Sequence, residues 1–363
     1  MTATKTKRLS KMQKTSALGA DFWNDSCAIN ELSEAVDNGA VGATSNPVIV
    51  SAVVDGDRQR WIPVLDSLVR ENPEADEDQL AWKLIAVVGV RAAKLLKPVY
   101  DKTAGKKGYL SMQVSPKFYR DAKRMSAHAK ELAALAPNVA IKLPCTEAGL
   151  EAMEETTAAG INVNATVSFT VAQACAAAQA CERGMVRAEK SGADMSRLHP
   201  YTTIMVGRVD DHLKRVLKAE KVSIDPGHLE WAGIAVFKRA RREFAKKGYR
   251  STLLAAAYRH VMHWTELIGD NVILTIPYPW WKQFEASDVE PQKRLDVPVA
   301  SQIVSELERA FPDFVRAYEP GGLKPAEFAA YGASANTLNQ FLGGYAKLLE
   351  TVRERMISAS APD

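Results

Sequence analysis

The stretch VAIKLPCTEAGLEAMEETTAAGINVNATVS, residues 139–168, reads as one complete strand–helix–strand unit. Its first six residues are apolar except for Lys142 and too few for a helix, so they read as a buried strand. The middle, EAGLEAMEETTAAG, has helical composition and period and stops at Gly160, where a glycine is expected just past a helix end. The last eight residues place Asn162, Asn164 and Thr166 at alternate positions, hence on one side of a second strand.

The same alternation of short Val-, Ile-, Leu- and Thr-rich runs with longer Ala-, Glu-, Lys- and Leu-rich stretches recurs in both directions along the chain. Upstream lie GADFWND (19–25), AVGATSN (40–46) and GYLSMQVS (108–115); downstream lie TTIMVG (202–207), TLLAAAYR (252–259) and NVILTIPY (271–278). About eight strands, each followed by helical sequence, predict an α/β chain folded as a closed (β/α)8 TIM barrel. In VAQACAAAQACERG, Gly184 is expected at a second helix C-cap.

After the eighth strand comes a Pro-containing stretch around 291–325 and then a helix near 334–356. Its Leu338, Phe341, Leu342, Tyr345, Leu348, Leu349 and Val352 form one apolar face, expected to pack on the barrel as a C-terminal helical extension. Burial at a subunit interface is the alternative, so a homo-oligomer is allowed. The reading divides the chain into a basic flexible tail over residues 1–17 and one barrel domain over 18–363, which includes the C-terminal helix.

With 363 residues and 47% hydrophobic content, the chain can fill one large core. The net charge of +4, from 47 basic and 43 acidic side chains, lacks the strong basic bias of a nucleic-acid binder. No apolar run reaches the roughly 18 residues of a membrane span, and the N-terminus has no apolar signal core, so no membrane association and a cytoplasmic location are expected. Cys27, Cys145, Cys175 and Cys181 form no CxxC pair or metal spacing, so neither a disulfide framework nor a metal is expected.

In such a barrel chemistry gathers at the C-terminal ends of the strands. Lys142 stands there in an apolar strand, where loss of hydration favours its neutral, nucleophilic amine. A lysine facing outward or closing a buried ion pair is the alternative. Polar residues projecting into a barrel are costly unless bonded, so Asn162, Asn164 and Thr166 point to sugar hydroxyls or a water, or else satisfy one another. Asp25 suits proton transfer with a reacting hydroxyl, its alternative being a helix N-cap; Asn46 before Pro47 could be turn chemistry. Arg208 and Arg259, at the ends of the sixth and seventh strands, point to a phosphate, with Asp210 and Asp211 as candidate ion-pair partners of Arg208.

Together these segments resemble the transaldolase family. The carriers are Trp23-Asn24-Asp25, Thr44-Ser45-Asn46-Pro47, Ile141-Lys142-Leu143-Pro144, Gly160-Ile161-Asn162-Val163-Asn164-Ala165-Thr166, the run Val206 to Asp211, and Ala256-Ala257-Tyr258-Arg259. The resemblance spans roughly residues 19–350 and implies class I aldol chemistry with no metal or cofactor. Lys142 would form an imine with a ketose phosphate and Asp25 would take the C4 hydroxyl proton. Thr166 and Gln113 would serve a water beside the imine; Asn46, Asn164 and Thr203 would bind hydroxyls, and Arg208 and Arg259 the phosphate. Three positions depart from the family pattern: Gln113 replaces a Glu, Met205 an aromatic, and Ala257 a Ser. A glutamine cannot exchange a proton as a carboxyl does. The resemblance therefore implies transfer of a dihydroxyacetone unit between sugar phosphates, with a plain aldolase releasing dihydroxyacetone and a non-catalytic sugar-phosphate-binding barrel as alternatives.

Overall fold

The computed structural model describes residues 9–359. Eight parallel strands close into a barrel in chain order: β1 (Ala20–Asn24), β2 (Gly42–Thr44), β3 (Tyr109–Gln113), β4 (Val139–Pro144), β5 (Val163–Thr166), β6 (Tyr201–Ile204), β7 (Thr252–Ala255) and β8 (Val272–Ile276), with β8 pairing back on β1. Each lies inside a run predicted as a strand or within one residue of it, and helices alternate with the strands. The register fixes which side chains share the interior. Gln113 pairs with Lys142, Lys142 with Asn164, and Pro144 with Thr166, so neighbours on adjacent strands point to the same side of the sheet.

The helix Glu147–Ala158 is N-capped by Thr146, whose hydroxyl accepts the Gly149 N–H, and Gly160 follows its C-cap at φ +77° as expected. Gly184 instead lies inside the helix Val171–Lys190 and ends nothing. Its role is close approach: a Cβ there would stand 2.6 Å from the Glu154 carbonyl oxygen and 2.6 Å from the Thr157 Cβ on the neighbouring helix. A small-residue contact of this kind leaves the same sequence mark as a cap.

The basic tail expected over residues 1–17 is overturned in its second half. Lys11–Ala17 is a helix with a Ser10/Gln13 capping box, and Met12 and Thr15 are fully buried. Glu285 accepts the Lys11 and Met12 N–H groups, and Trp264 donates its indole N–H to Thr15 at 3.0 Å. Residues 1–8 lie outside the described residues. The Pro-containing stretch carries two helices, Ser301–Ala310 and Pro312–Tyr318, which bury Leu307, Phe314 and Ala317, with Phe311 buried between them.

The C-terminal helix, Gly332–Ala359, buries Leu338, Phe341, Tyr345, Leu348 and Val352 against the helices Pro47–Gly56, Arg58–Glu71, Glu77–Lys102 and Val206–Glu220. Its Thr337 and Gln340 accept hydrogen bonds from Arg208, just past the end of β6, so the helix lies at the C-terminal side of the barrel. No helix among the described residues is long and apolar enough to cross a membrane.

Two helix glycines should respond in opposite senses. Gly184→Val must push the two helices apart and should cost about 1–3 kcal/mol, as overpacking does. Gly343→Ala, with nothing within 4 Å of the new methyl group, should gain about 0.5–1 kcal/mol through helix propensity. Urea midpoints of both variants check this pair of signs.

Candidate active site

Lys142 is 5% exposed, and its ammonium has no hydrogen bond or ion pair among the described residues. Burial pushes its pKa down; Asp25 opposes that shift and Arg208 adds to it, so both charges lie within reach of the amine. The lysine neither faces outward nor closes an ion pair.

The groups around it divide into bonded and unbonded. Asn164 is held from both sides: its Nδ2 donates to Ser111 Oγ at 3.0 Å and its Oδ1 accepts the Thr203 hydroxyl at 2.8 Å. This triad spans β3, β5 and β6 and fixes the carboxamide beside Lys142. Gln113 Oε1, Thr166 Oγ1 and Arg208 Nε, by contrast, are buried with no hydrogen-bond partner. Orphaned polar atoms cost free energy in a folded interior and mark places where a ligand or water completes the bonding. Asn162 stands apart from the site, because its side chain pins the loop before β6 through the Arg197 carbonyl and the His199 N–H.

Asp25 sits one residue beyond β1 and is no helix cap, since the following helix, Ile29–Asp37, begins after Ala28 without a side-chain cap. Thr44 donates its hydroxyl to Asp25 Oδ1 and lies 3.0 Å from the Thr275 hydroxyl, which orients the carboxylate. Asn46 caps the helix Pro47–Gly56, accepting the Ile49 N–H at 2.9 Å. Capping occupies its oxygen and leaves its amide N–H groups for a ligand.

Both arginines lie past the strand ends, Arg208 in the first turn of the helix Val206–Glu220 and Arg259 in the loop after β7. The ion pairs differ from those expected. Asp211 pairs with Arg259 at 2.8 Å, while Arg208 donates to Gln340 and, at 3.3 Å, to Thr337 on the C-terminal helix. Asp210 turns away to His263 and the Gly233 N–H. Burial, with Arg259 close by, pushes the Arg208 guanidinium down to about 10, still charged at neutral pH. Two cations thus remain side by side with too few carboxylates between them, which suits an anion. Gly207 permits the approach: a Cβ there would stand 2.0 Å from the Ala257 carbonyl oxygen.

Two of the strained backbone positions lie at this face. Val167 (φ +52°), just after Thr166, and Ala257 (φ +64°), two residues before Arg259, occupy the left-handed region, a rare state for a β-branched residue above all. Met205 is buried at the mouth and brings no hydroxyl. A cleft of about 380 Å³ opens beside Asp25, between Ser26, Ile49, Val53 and Tyr278. Two larger clefts, of about 590 and 610 Å³, contain none of these residues.

Sequence reasoning missed Thr44, Ser111 and the C-terminal helix residues Thr337 and Gln340. Ser111 shares the inward parity of Gln113 two residues on, so strand alternation could have found it. No local signal marks Gln340, which lies more than one hundred residues from Arg208.

The sequence model of the family Transaldolase/Fructose-6-phosphate aldolase matches residues 22–319. The chain is similar to Transaldolase 2 of Streptomyces coelicolor, 31% identical over 300 residues that cover 73% of this chain and 78% of that protein. It is similar to Transaldolase 1 of Streptomyces avermitilis, 37% identical over 183 residues, 49% of this chain and 47% of the relative. Transaldolase of Thiobacillus denitrificans is 28% identical over 330 residues, 83% of this chain and 89% of the relative. A family match that begins within β1 and runs past β8, over the barrel that carries Asp25, Lys142, Asn164, Arg208 and Arg259, means that the chain belongs to the transaldolase/fructose-6-phosphate aldolase family.

Proposed function

We propose that the chain transfers a dihydroxyacetone unit from a ketose phosphate to an aldose phosphate through a Schiff base on Lys142. The observation that carries this reading is the buried, unpaired lysine ringed by orphaned polar atoms. Its neutral amine adds to the C2 carbonyl of the donor; loss of water from the carbinolamine gives the imine. The Asp25 carboxylate takes the C4 hydroxyl proton, the C3–C4 bond breaks, and its electron pair passes into the imine as an enamine while an aldose phosphate leaves. The enamine then attacks the aldehyde carbon of the acceptor, Asp25 returns its proton to the new hydroxyl, and water releases the product. Asn46, Asn164 and Thr203 bind hydroxyls in this account, and Arg208 with Arg259 holds the phosphate. The four cysteines are unpaired and buried, which fits a reducing cytoplasmic setting.

A second reading, an aldolase that hydrolyses the enamine-derived imine and releases dihydroxyacetone, is favoured by Gln113. Its orphaned oxygen can orient a water beside Thr166 but cannot exchange a proton with it. A non-catalytic barrel would bind sugar phosphates and form no imine.

Borohydride reduction in the presence of fructose 6-phosphate should fix a substrate fragment on Lys142, read by peptide mass spectrometry, and Lys142→Ala should abolish both labelling and turnover. Labelling at another lysine sinks the mechanism. Arg208→Ala and Arg259→Ala should each weaken phosphorylated substrates by roughly 1.5–3 kcal/mol, with the more exposed Arg259 at the lower end. Dihydroxyacetone trapping should be unaffected, and equal losses on it would make the arginines structural. Gln113→Glu should speed imine formation and add a pH dependence, since general acid–base help is worth about 10²- to 10⁴-fold. Met205→Tyr should raise release of dihydroxyacetone relative to transfer; an unchanged ratio in both variants would move the water site elsewhere.

A further inference from the structure

Behind the two arginines lies a cluster that the reaction does not use: buried Asp210 and His263 and half-buried His260, with Glu230 at its edge. Their ligand atoms lie within 4.8 Å of one another, close enough for a metal, but the bonding assigns the cluster another role. The Arg259 N–H points at His263 Nδ1 at 3.0 Å, so Nδ1 offers its lone pair and the ring proton sits on Nε2. Nε2 then donates to Asp210 Oδ2 at 2.8 Å, and the Gly233 N–H takes Oδ1 at 2.8 Å. A metal at Nε2 would need the lone pair that this tautomer withholds.

We propose that Asp210 and His263 form a positioning pair, which fixes the backbone of Arg259 and through it the phosphate anchor. The inference rests on the reading of Arg208 and Arg259 as that anchor. The loop needs such a hold: Ala257 is in the left-handed region, and a strained residue keeps its conformation only when its surroundings over-determine it. Arg259 also donates from Nη1 to the Ala257 and Tyr258 carbonyls, at 3.3 and 2.9 Å. The adjacent aspartates therefore divide the work, Asp211 taking the guanidinium and Asp210, through His263, the main chain. His260 braces the pair. Its ring lies 3.8 Å from that of His263, and its Nε2 stands 2.9 Å from Glu230 and 3.4 Å from Asp210. Burial alone would raise the Asp210 carboxyl, but His263, His260 and the Gly233 N–H outweigh it and hold it below the usual carboxylate range. Both oxygens can therefore accept.

Asp210→Asn is nearly isosteric and breaks this pattern, because an amide has one oxygen for two donors. Either Gly233 loses its acceptor, or His263 must move its proton to Nδ1, against the Arg259 N–H. His263→Phe keeps a ring and removes both nitrogens, whereas His263→Asn places an oxygen near the Nδ1 position and should partly restore the hold. The probe is inorganic phosphate, titrated calorimetrically, alongside borohydride trapping of unphosphorylated dihydroxyacetone on Lys142. Asp210→Asn and His263→Phe should weaken phosphate about tenfold or more, as expected for one lost charged-site hydrogen bond, with His263→Asn in between. Trapping of dihydroxyacetone should stay at the wild-type level. Unchanged phosphate affinity in both variants overturns the proposal, as does parallel loss of phosphate binding and trapping, which would mark a merely structural role. A wild-type protein that binds phosphate but traps no dihydroxyacetone would defeat the Schiff-base reading and leave this inference to the phosphate data; one that binds no phosphate defeats the inference itself.

Discussion

An amine enclosed by a closed barrel with no carboxylate in contact is the constraint on which the rest of this site depends. Moving a lone ammonium out of water costs more than a single domain can spare, and a buried lysine answers by giving up its proton more readily. Lys142 is in that position, and Arg208 reinforces the effect while Asp25 stands back, bonded to Thr44. A carboxylate in direct contact would hold the lysine charged and end its nucleophilicity. The placing of Asp25 one residue past β1, near but not paired, is therefore as important as its presence.

The barrel supplies the rigidity that this arrangement needs. Lys142, Gln113 and Asn164 sit on three adjacent strands in one register, so the strand ladder sets their spacing and no loop conformation is involved. The side that carries the two arginines is built differently. Arg208 and Arg259 lie beyond the strands and are held by contacts from outside the barrel wall: Thr337 and Gln340 of the C-terminal helix, Asp211, and a loop that passes through left-handed Ala257. Gly207 is the close-contact point of that construction, since any side chain there meets the Ala257 carbonyl.

Much of this was legible in the sequence. The eight strands follow from short Val-, Ile-, Leu- and Thr-rich runs separated by helical stretches, and Lys142 stands out because a charge in VAIKLP has no local reason to exist. What could not be read are pairings between elements far apart in the chain. Asp210 and Asp211 sit beside Arg208, yet a helix turn sends one to His263 and the other to Arg259, a choice made by tertiary packing. Asn162 shows the limit of parity: it shares the alternation of Asn164 and Thr166 but lies at the other end of the strand, where it fastens a loop. Gly184 and the helix Lys11–Ala17 misled for related reasons, a glycine chosen for contact rather than for a turn, and a basic segment whose Met12 and Thr15 are buried in the fold.

Burial that keeps Lys142 available as a neutral amine is read by titrating its side-chain nitrogen. In protein carrying ¹⁵N-labelled lysine, with the resonance assigned by its loss in Lys142→Arg, the chemical shift of Nζ against pH gives the ionisation midpoint without reference to any substrate. Burial of the uncharged amine predicts a midpoint below that of an ordinary lysine, and below those of the exposed lysines observed in the same spectrum. A midpoint at or above the exposed lysines would contradict it, for the amine would then be charged throughout the working range and the site would need another way to make its nucleophile.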